Sequence, residues 1–441
     1  RQRRRAQGAA DAGRSGVSDK PRGTGYASAA SMPDPASPPV TAPAETSHAR
    51  ALATVWFTLF LDLVSFGIVI PVLPYYAKST GASEGVVALL ATAYSAAQFL
   101  MSPVLGRISD RRGRRPVMLI SILGSTLAML TLGFASALWM LFLARIISGV
   151  CNANVSTAHA YVADRVPPTQ RARYMGMMGT AVGVGFILGP TIGGFLSRDD
   201  FPQLPFFFAA GLSAVNLLMA IFWLPESHRA APASGPPKPR PSLLKVASDP
   251  AFWRGQIGVM VAVYFGFFCA FAAMEATFAL FTEACFGWGP PETANFFAFV
   301  GTIIVLFQGV VVGRAVASFG ERRTLLAGLA MSVTGFAILS LSPNGWFVPL
   351  GGIFMAGGNG LIMPSMSALV SRNSTSEDQG TNAGFAQSAG ALGRIFGPAI
   401  AGGLFELVGP RTPMASAAMI VALVGVSVFF RVAEPRPEAG R

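Results

Sequence analysis

The chain has 441 residues, of which 52% are hydrophobic and only 12% are charged. Soluble domains average about 25% charged residues, so this composition indicates a membrane protein. The net charge of +12 comes from basic residues in short loops and tails without a stripe of stacking aromatics, which argues against nucleic-acid binding. The three cysteines and three histidines lack the pattern of a disulfide framework or a metal site, and no cofactor is expected.

The N-terminal stretch, residues 1–50, is rich in Arg, Ala, Ser, Gly and Pro and contains no apolar run, which predicts a disordered cytoplasmic tail. Because the chain opens on Arg1, Met32 is an alternative start of the protein. The first apolar run, from about Ala51, is too long for the h-region of a signal peptide.

Apolar segments long enough to cross a bilayer as helices fill the rest of the chain. They predict an all-α membrane protein with twelve transmembrane helices, near 52–75, 86–106, 116–136, 138–162, 174–196, 205–224, 255–281, 292–314, 324–343, 346–370, 381–406 and 412–430. A Pro-rich cytoplasmic linker, 226–254, separates two six-helix bundles, 51–225 and 255–430, and a short tail, 431–441, ends the chain.

The loops that follow even-numbered spans hold most of the basic residues, which places those loops and both termini in the cytoplasm. The first of them reads GRISDRRGRRP, in which glycines permit a sharp turn. Its arginines either set topology alone or also form, with the acid, a latch that breaks when the halves rock apart. The residues of this candidate gate are Gly106, Asp110, Arg111, Gly113, Arg114 and Arg115.

The two halves repeat one another. The pattern Gly176, Gly185, Gly189, Pro190 and Gly194 recurs with a constant shift of 208, as Gly384, Gly393, Gly397, Pro398 and Gly402. The loop after span 2 recurs more weakly with a shift of 207, so that Gly113 and Arg115 correspond to Gly320 and Arg322. Two six-helix halves with matching glycines are typical of transporters that rock one half against the other.

At these residues the chain resembles the major facilitator superfamily. GRISDRRGRRP resembles its loop between helices 2 and 3, and LARIISG, with Arg145, resembles its helix-4 signature. The helix-5 signature of its drug:proton antiporters is matched by Gly176, Gly185, Gly189, Pro190, Gly193 and Gly194. FLDLVSFGIVIPVLP, AYSAAQFLMSPVLGRISDRRGRRP and YVAD are similar to the tetracycline-efflux branch.

The resemblance implies a twelve-helix drug exporter in which Asp62 has a role. The chain departs from that branch at three positions. Ala128 stands where the branch has an acid in helix 3, Ile304 where it has a histidine in helix 8, and Ser332 where it has an acid in helix 9. The resemblance therefore implies the exporter class but not tetracycline itself.

Asp62, Glu275 and Arg145 are charged residues inside predicted spans, where an unpaired charge is costly. Asp62, near mid-bilayer, either couples transport to protons or is a packing residue with a fixed partner. Glu275 is a second proton site, a ligand for a cationic drug, or an acid at the outer interface. Arg145 either pairs with Asp62 in competition with a proton or cross-links two helices.

Further polar residues of the predicted spans are candidates for a central cavity, although they could instead satisfy one another between helices. They are Gln98, Asn152, Ser156, Gln308, Asn359, Gln387 and Arg394.

The sequence thus predicts a non-enzymatic, monomeric secondary transporter of the cytoplasmic membrane, surrounded by lipid, that exchanges protons for an apolar or amphipathic small molecule. No P-loop motif is present, so ATP is not the expected energy source. A proton-linked importer of a small nutrient and a non-transporting membrane sensor are the alternatives.

Overall fold

The computed structural model describes residues 45–227, 248, 250–375 and 378–432. This part of the chain consists of helices joined by short turns, with no strand. The predicted N-terminal tail up to residue 44, residues 228–247 of the predicted linker and residues 433–441 of the predicted C-terminal tail lie outside the described residues.

The helices are numbered here in chain order. A π-helical turn, Phe307–Val311, joins α10 to α11, and a 3-10 turn, Gly345–Phe347, leads into α12. The bounds are α1 Glu45–Ser79, α2 Glu84–Arg112, α3 Arg114–Gly133, α4 Leu138–Val150, α5 Asn154–Arg165, α6 Pro168–Leu196, α7 Leu204–Trp223, α8 Pro250–Arg254, α9 Gln256–Phe286, α10 Pro290–Leu306, α11 Val312–Leu341, α12 Val348–Arg372, α13 Gln379–Leu407 and α14 Thr412–Arg431.

Ten helical stretches of the described chain are long and apolar enough to cross a bilayer. One of them runs from 290 to 341 over 52 residues and therefore exceeds the length of a single crossing. Helix α13, with 29 residues, lies outside these ten. Large apolar side chains such as Phe195, Trp346 and Leu407 are more than four-fifths exposed, as expected where lipid rather than water surrounds the helices.

The fourth predicted span is broken rather than continuous. Helix α4 ends at Val150, helix α5 begins at Asn154, and Ala153 between them has φ −128° and ψ 4°. The amide of Asn152 donates to the hydroxyl of Tyr94 on α2, while Asn154 hydrogen-bonds the carboxyl of Asp62 on α1. The two asparagines at the break are thus held by partners from other helices.

The long stretch from 290 to 341 turns at Gly320, whose φ of 79° and ψ of 166° are not helical. Gly113, between α2 and α3, has nearly the same conformation, with φ 103° and ψ 164°. A positive φ is open to glycine without the steric strain that a Cβ brings. The two turns occupy corresponding positions of the sequence repeat.

Helix packing follows the same repeat. In the first half (α1–α7), α6 lies against α1, and an ideal Cβ on Gly189 would come within 2.7 Å of Gly67 Cα. In the second half (α9–α14), α13 lies against α9, and a Cβ on Gly393 would come within 2.5 Å of the carbonyl oxygen of Phe265. Small residues at these points let the helix backbones approach closely. Between the halves, α2 packs on α13 and α6 packs on α10.

The two ends of the helices differ. We call the end at Gly113 and Gly320 the arginine end, and the end at Gly81 and Gly409 the opposite end. Toward the opposite end the halves touch: a Cβ on Gly402 of α13 would lie 2.7 Å from Ala88 Cβ of α2. Toward the arginine end of α2, α6 and α13, a Cβ would meet nothing within 4 Å at Gly106, Gly176, Gly179, Gly380 or Gly384, and the same holds for Gly309 and Gly313, which follow α10. Among these glycines, contacts between the halves thus occur toward the opposite end and are absent toward the arginine end.

Candidate functional site

The carboxyl group of Asp62 lies inside the first half, among α1, α3 and α5. Its Oδ1 atom is 3.5 Å from the hydroxyl of Ser125, and the side chain of Asn154 is its second hydrogen-bond partner. Within the described part of the chain Asp62 makes no ion pair, and it is only partly buried. An intramembrane carboxyl group with neutral partners is placed to gain or lose a proton without first breaking a salt bridge.

Arg145, on α4, is buried, with 6% of its surface exposed. Its guanidinium carbon lies 4.4 Å from the centre of the Tyr94 ring, a cation–π distance. Its Nε atom is 3.5 Å from the carbonyl oxygen of Leu90, which is a long hydrogen bond. No ion pair joins Arg145 to Asp62 among the described residues, so their pairing remains a prediction for another conformation.

The second half contributes a matching cation. Arg394, on α13, lies with its guanidinium carbon 4.6 Å from the centre of the Phe268 ring. Glu275, on α9, interacts electrostatically with both Arg394 and Arg145, although neither arginine comes within ion-pair distance of it in the described chain. Arg145 from the first half and Arg394 and Glu275 from the second therefore lie around one residue, Tyr94.

The predicted cavity amides are spread more widely. Gln387 lines a small cavity of about 110 Å³ beside Tyr264 and Ser367, within the second half. Gln308, in the π-helical turn, and Ser156, on α5, are exposed, Gln98 is partly buried, and Asn359 is buried. Asn152 alone of this group has its amide directly on the central cluster, through Tyr94.

The arginine loop is tied to its own half. Arg114 pairs with Asp110 at 2.6 Å and with Asp164 of α5 at 3.0 Å, and its backbone N–H donates to Glu226 at 2.8 Å. Gly106 and Arg111 are exposed. A latch between the two halves at this end remains a prediction, because Asp110 and Asp164 belong to the first half and Glu226 directly follows it.

The second half carries the same tie with its charges exchanged. Glu321 corresponds to Arg114 in the repeat and pairs at 2.7 Å with Arg372, which corresponds to Asp164. The next residue is an arginine in both halves and makes the equivalent hydrogen bond in each. Arg115 donates to the carbonyl of Ile221 at 2.6 Å, and Arg322 donates to the carbonyl of Phe429 at 2.6 Å. The first turn of α3 in the first half, and the turn that follows Gly320 in the second half, are thus each held to the ends of two other helices.

The helix-5 signature is a packing surface. A Cβ on Gly185 or Gly193 would come within 2.7 Å of α1, and one on Gly194 would collide with Ala294 of α10. Gly176 lies in open space near the arginine end, and α6 runs through Pro190 without a break. The signature thus joins α1 within its half and α10 across the halves.

Contacts at the opposite end were not foreseen from the sequence. The ammonium of Lys78, on α1, lies 2.9 Å from a carboxylate oxygen of Glu283, on α9. The hydroxyl of Tyr75 is 2.8 Å from that of Thr293. Glu406 at the end of α13 accepts the backbone N–H of Gly85 at 2.8 Å. The sequence signal for these contacts is only that polar residues stand at the ends of apolar runs.

Residues 55–318 and 286–441 match the Major Facilitator Superfamily. The chain belongs to this superfamily. It is 33% identical over 357 residues to the class C tetracycline resistance protein of Escherichia coli, covering 80% of this chain and 88% of that protein. It is 30% identical over 358 residues to multidrug resistance protein 2 of Bacillus subtilis (strain 168), covering 79% and 87%.

Among solved structures, the human organic anion transporter MFSD10 (TETRAN) aligns with a TM-score of 0.66 and 25% identity over 86% of this chain and 99% of that one. These matches confirm the predicted family and its resemblance to the tetracycline-efflux branch. The chain is therefore a multi-pass membrane transporter rather than an enzyme.

Proposed function

We propose that this protein exports an amphipathic small molecule in exchange for protons, by alternating access, as a monomer in the plasma membrane. Its relatives include proteins named for resistance to tetracycline and to multiple drugs, which supports drug efflux and antibiotic resistance. The proposal keeps the predicted architecture of twelve helices in two bundles, 51–225 and 255–430, if the stretch 290–341 is counted as two spans divided at Gly320 and α13 as one.

The observation that supports this proposal best is the unequal closure of the two ends. A Cβ on Gly194 or Gly402, toward the opposite end, would meet the other half, whereas one on Gly176 or Gly384, toward the arginine end of the same two helices, would meet nothing within 4 Å. The arginine end is the cytoplasmic end by the distribution of basic loop residues, and both termini then lie in the cytoplasm. The conformation is thus open inward, ready to receive a substrate from the cytoplasm.

Asp62 is the proposed proton carrier, with Arg145 and Glu275 as its charged neighbours in the coupling network. Its hydroxyl and amide partners support this role, because a carboxyl group without a fixed cation can be protonated in one conformation and deprotonated in the next. We keep three roles predicted from the sequence. The loop from Gly106 to Arg115 is the cytoplasmic gate, the helix-5 glycines form the antiporter signature, and the polar residues of the spans line the central cavity.

Everted membrane vesicles containing a pH-sensitive dye test the proposal. Adding a transported drug from a panel that includes tetracycline should release protons from vesicles of the wild type, and Asp62→Asn should abolish that release while still reaching the membrane. Flux in the opposite direction would favour the nutrient importer, and ligand binding without any flux would favour the sensor.

A further inference from the structure

Two arginines face the space between the halves with most of their hydrogen-bond donors unused. Arg145 makes one long hydrogen bond, through Nε, and Arg394 makes no hydrogen bond or ion pair within the described residues. A guanidinium group has five N–H donors. Each guanidinium instead lies on an aromatic ring, Tyr94 or Phe268, which orients it, and its terminal N–H donors have no partner among the described residues.

The arginines of this region are not paired with its acids in the described chain. Glu275 is the acid that interacts with both arginines, and it touches neither. Asp62 is held by Ser125 and Asn154 rather than by an arginine. Neither arginine thus has an ion-pair partner among the described residues, and a cation without a partner is costly in an apolar surrounding. An anion bound between the arginines would remove that cost.

The two cations belong to different halves of the protein. Arg145 is on α4 of the first half and Arg394 is on α13 of the second. Their helices meet through α2, where the hydroxyl of Thr92 donates to the carbonyl of Ile395 at 3.1 Å, next to Tyr94 and Arg394 in the sequence. A ligand that bridges both guanidinium groups would therefore contact both halves at once.

The surroundings of the arginines are aromatic on both sides. Phe66 lies 5.6 Å from Tyr94, ring centre to ring centre, and Tyr264 lies 6.2 Å from Phe268. Aromatic faces favour a flat apolar ligand body, while guanidinium edges favour a planar or tetrahedral anionic group held by paired N–H donors.

We propose that Arg145 and Arg394 form a binding site for the acidic group of an aromatic organic anion, and that such anions are the substrate class of this transporter. This inference rests on the proposed export function. It also reverses one expectation from the sequence, because Glu275 acts as the counter-charge of the arginines and does not bind a cationic drug.

The test compares three ligands that share one ring system: naphthalene-1-sulfonate, the neutral naphthalene-1-sulfonamide and the cationic (1-naphthylmethyl)trimethylammonium. Affinities are measured by calorimetry on the full-length protein in nanodiscs. The sulfonate should bind at least about ten-fold more tightly than the other two, since hydrogen bonds between charged groups are the stronger kind. The opposite ranking, or equal binding of all three, would overturn the proposal.

Variants then locate the site. Arg394→Gln should weaken sulfonate binding about ten-fold or more with little effect on the amide, and Arg394→Lys should restore part of the loss. Arg145 is buried, so sulfonate binding by Arg145→Gln is compared with the wild type only if the two proteins have the same melting temperature. Arg411→Gln is the matched control, because the side chain of this exposed arginine at the opposite end donates only to the Ser340 carbonyl in the described chain, at 3.3 Å, and its loss should change nothing. Equal effects of the Arg394 and Arg411 changes would refute the site.

The same experiment separates this inference from the proposed function. Asp62→Asn should bind the sulfonate like the wild type yet lose drug-dependent proton release. Normal sulfonate binding with no proton movement in the wild type would contradict proton-coupled export and leave the anion site standing. Proton release driven only by cationic compounds would support export and overturn the anion site.

Discussion

The ion pair between Lys78 and Glu283 joins the two halves at the opposite end and gives a direct test of the inward-open assignment. Both side chains are about one-third exposed, at 34% and 33%, and their charged atoms are 2.9 Å apart. Exposed ion pairs contribute roughly 0.2–1 kcal/mol. If the pair stabilises the closed state by about 0.5–1 kcal/mol, its loss would change the ratio of molecules with a closed opposite end to molecules with an open one about two- to five-fold. Glu283→Gln is therefore expected to enlarge the population in which the opposite end is open.

The measurement is the distance distribution between spin labels placed at Asp200 and Trp346, one at the opposite end of each half, in a protein without its three native cysteines. Glu84→Gln is the matched control. Glu84 lies 3.8 Å from the same lysine but belongs to the same half, so its loss removes an equal charge without untying the halves. The exchange of both charges in Lys78→Glu with Glu283→Lys should restore the wild-type distribution. An equal shift from Glu84→Gln and Glu283→Gln, or none from either, would refute the reasoning.

Two further changes probe the repeat. Gly397→Ala should lower the melting temperature in detergent, because the new Cβ would collide with the Cys269 carbonyl and overpacking costs about 1–3 kcal/mol. Gly384→Ala is the control, since this glycine lies in open space on the same helix and its replacement should leave stability unchanged or slightly raised. Equal losses of melting temperature in the two variants would contradict the packing. Arg372→Met should lower the melting temperature by leaving the buried carboxylate of Glu321 unpaired. The double variant Glu321→Arg with Arg372→Glu exchanges the two charges and should recover most of that loss. Failure to recover would argue against a simple charge pair.

Much of the fold could be predicted from the sequence, because membrane helices are long apolar runs and their polar interruptions are visible. Asp62, Arg145 and Glu275 could be found in the same way, as charges inside apolar segments. Their partners could not: Lys78 meets Glu283 across 205 positions of the chain, and no local pattern specifies that meeting.

Other features were within reach of the sequence and were missed. The exchange of charges between the halves follows once the shifts of 207 and 208 are carried to Glu321 and Arg372. The break in the fourth span coincides with two asparagines, whose side chains compete with helical hydrogen bonds. Tyr94, which lies between both arginines, carried one signal only, a hydroxyl inside an apolar span.

Binding at the proposed anion site should change the equilibrium between the open and closed states of the opposite end. A ligand shifts an equilibrium only by its difference in affinity for the two states. Because Arg145 and Arg394 lie on different halves, their separation changes when the halves rock, so a bridging anion cannot bind both states equally. Naphthalene-1-sulfonate should therefore shift the Asp200–Trp346 label distances in the wild type, and each ten-fold difference in affinity corresponds to about 1.4 kcal/mol of shift. The neutral sulfonamide should not shift them, and neither ligand should do so in Arg394→Gln. A sulfonate that binds tightly but leaves the distances unchanged would mean that it contacts one half alone.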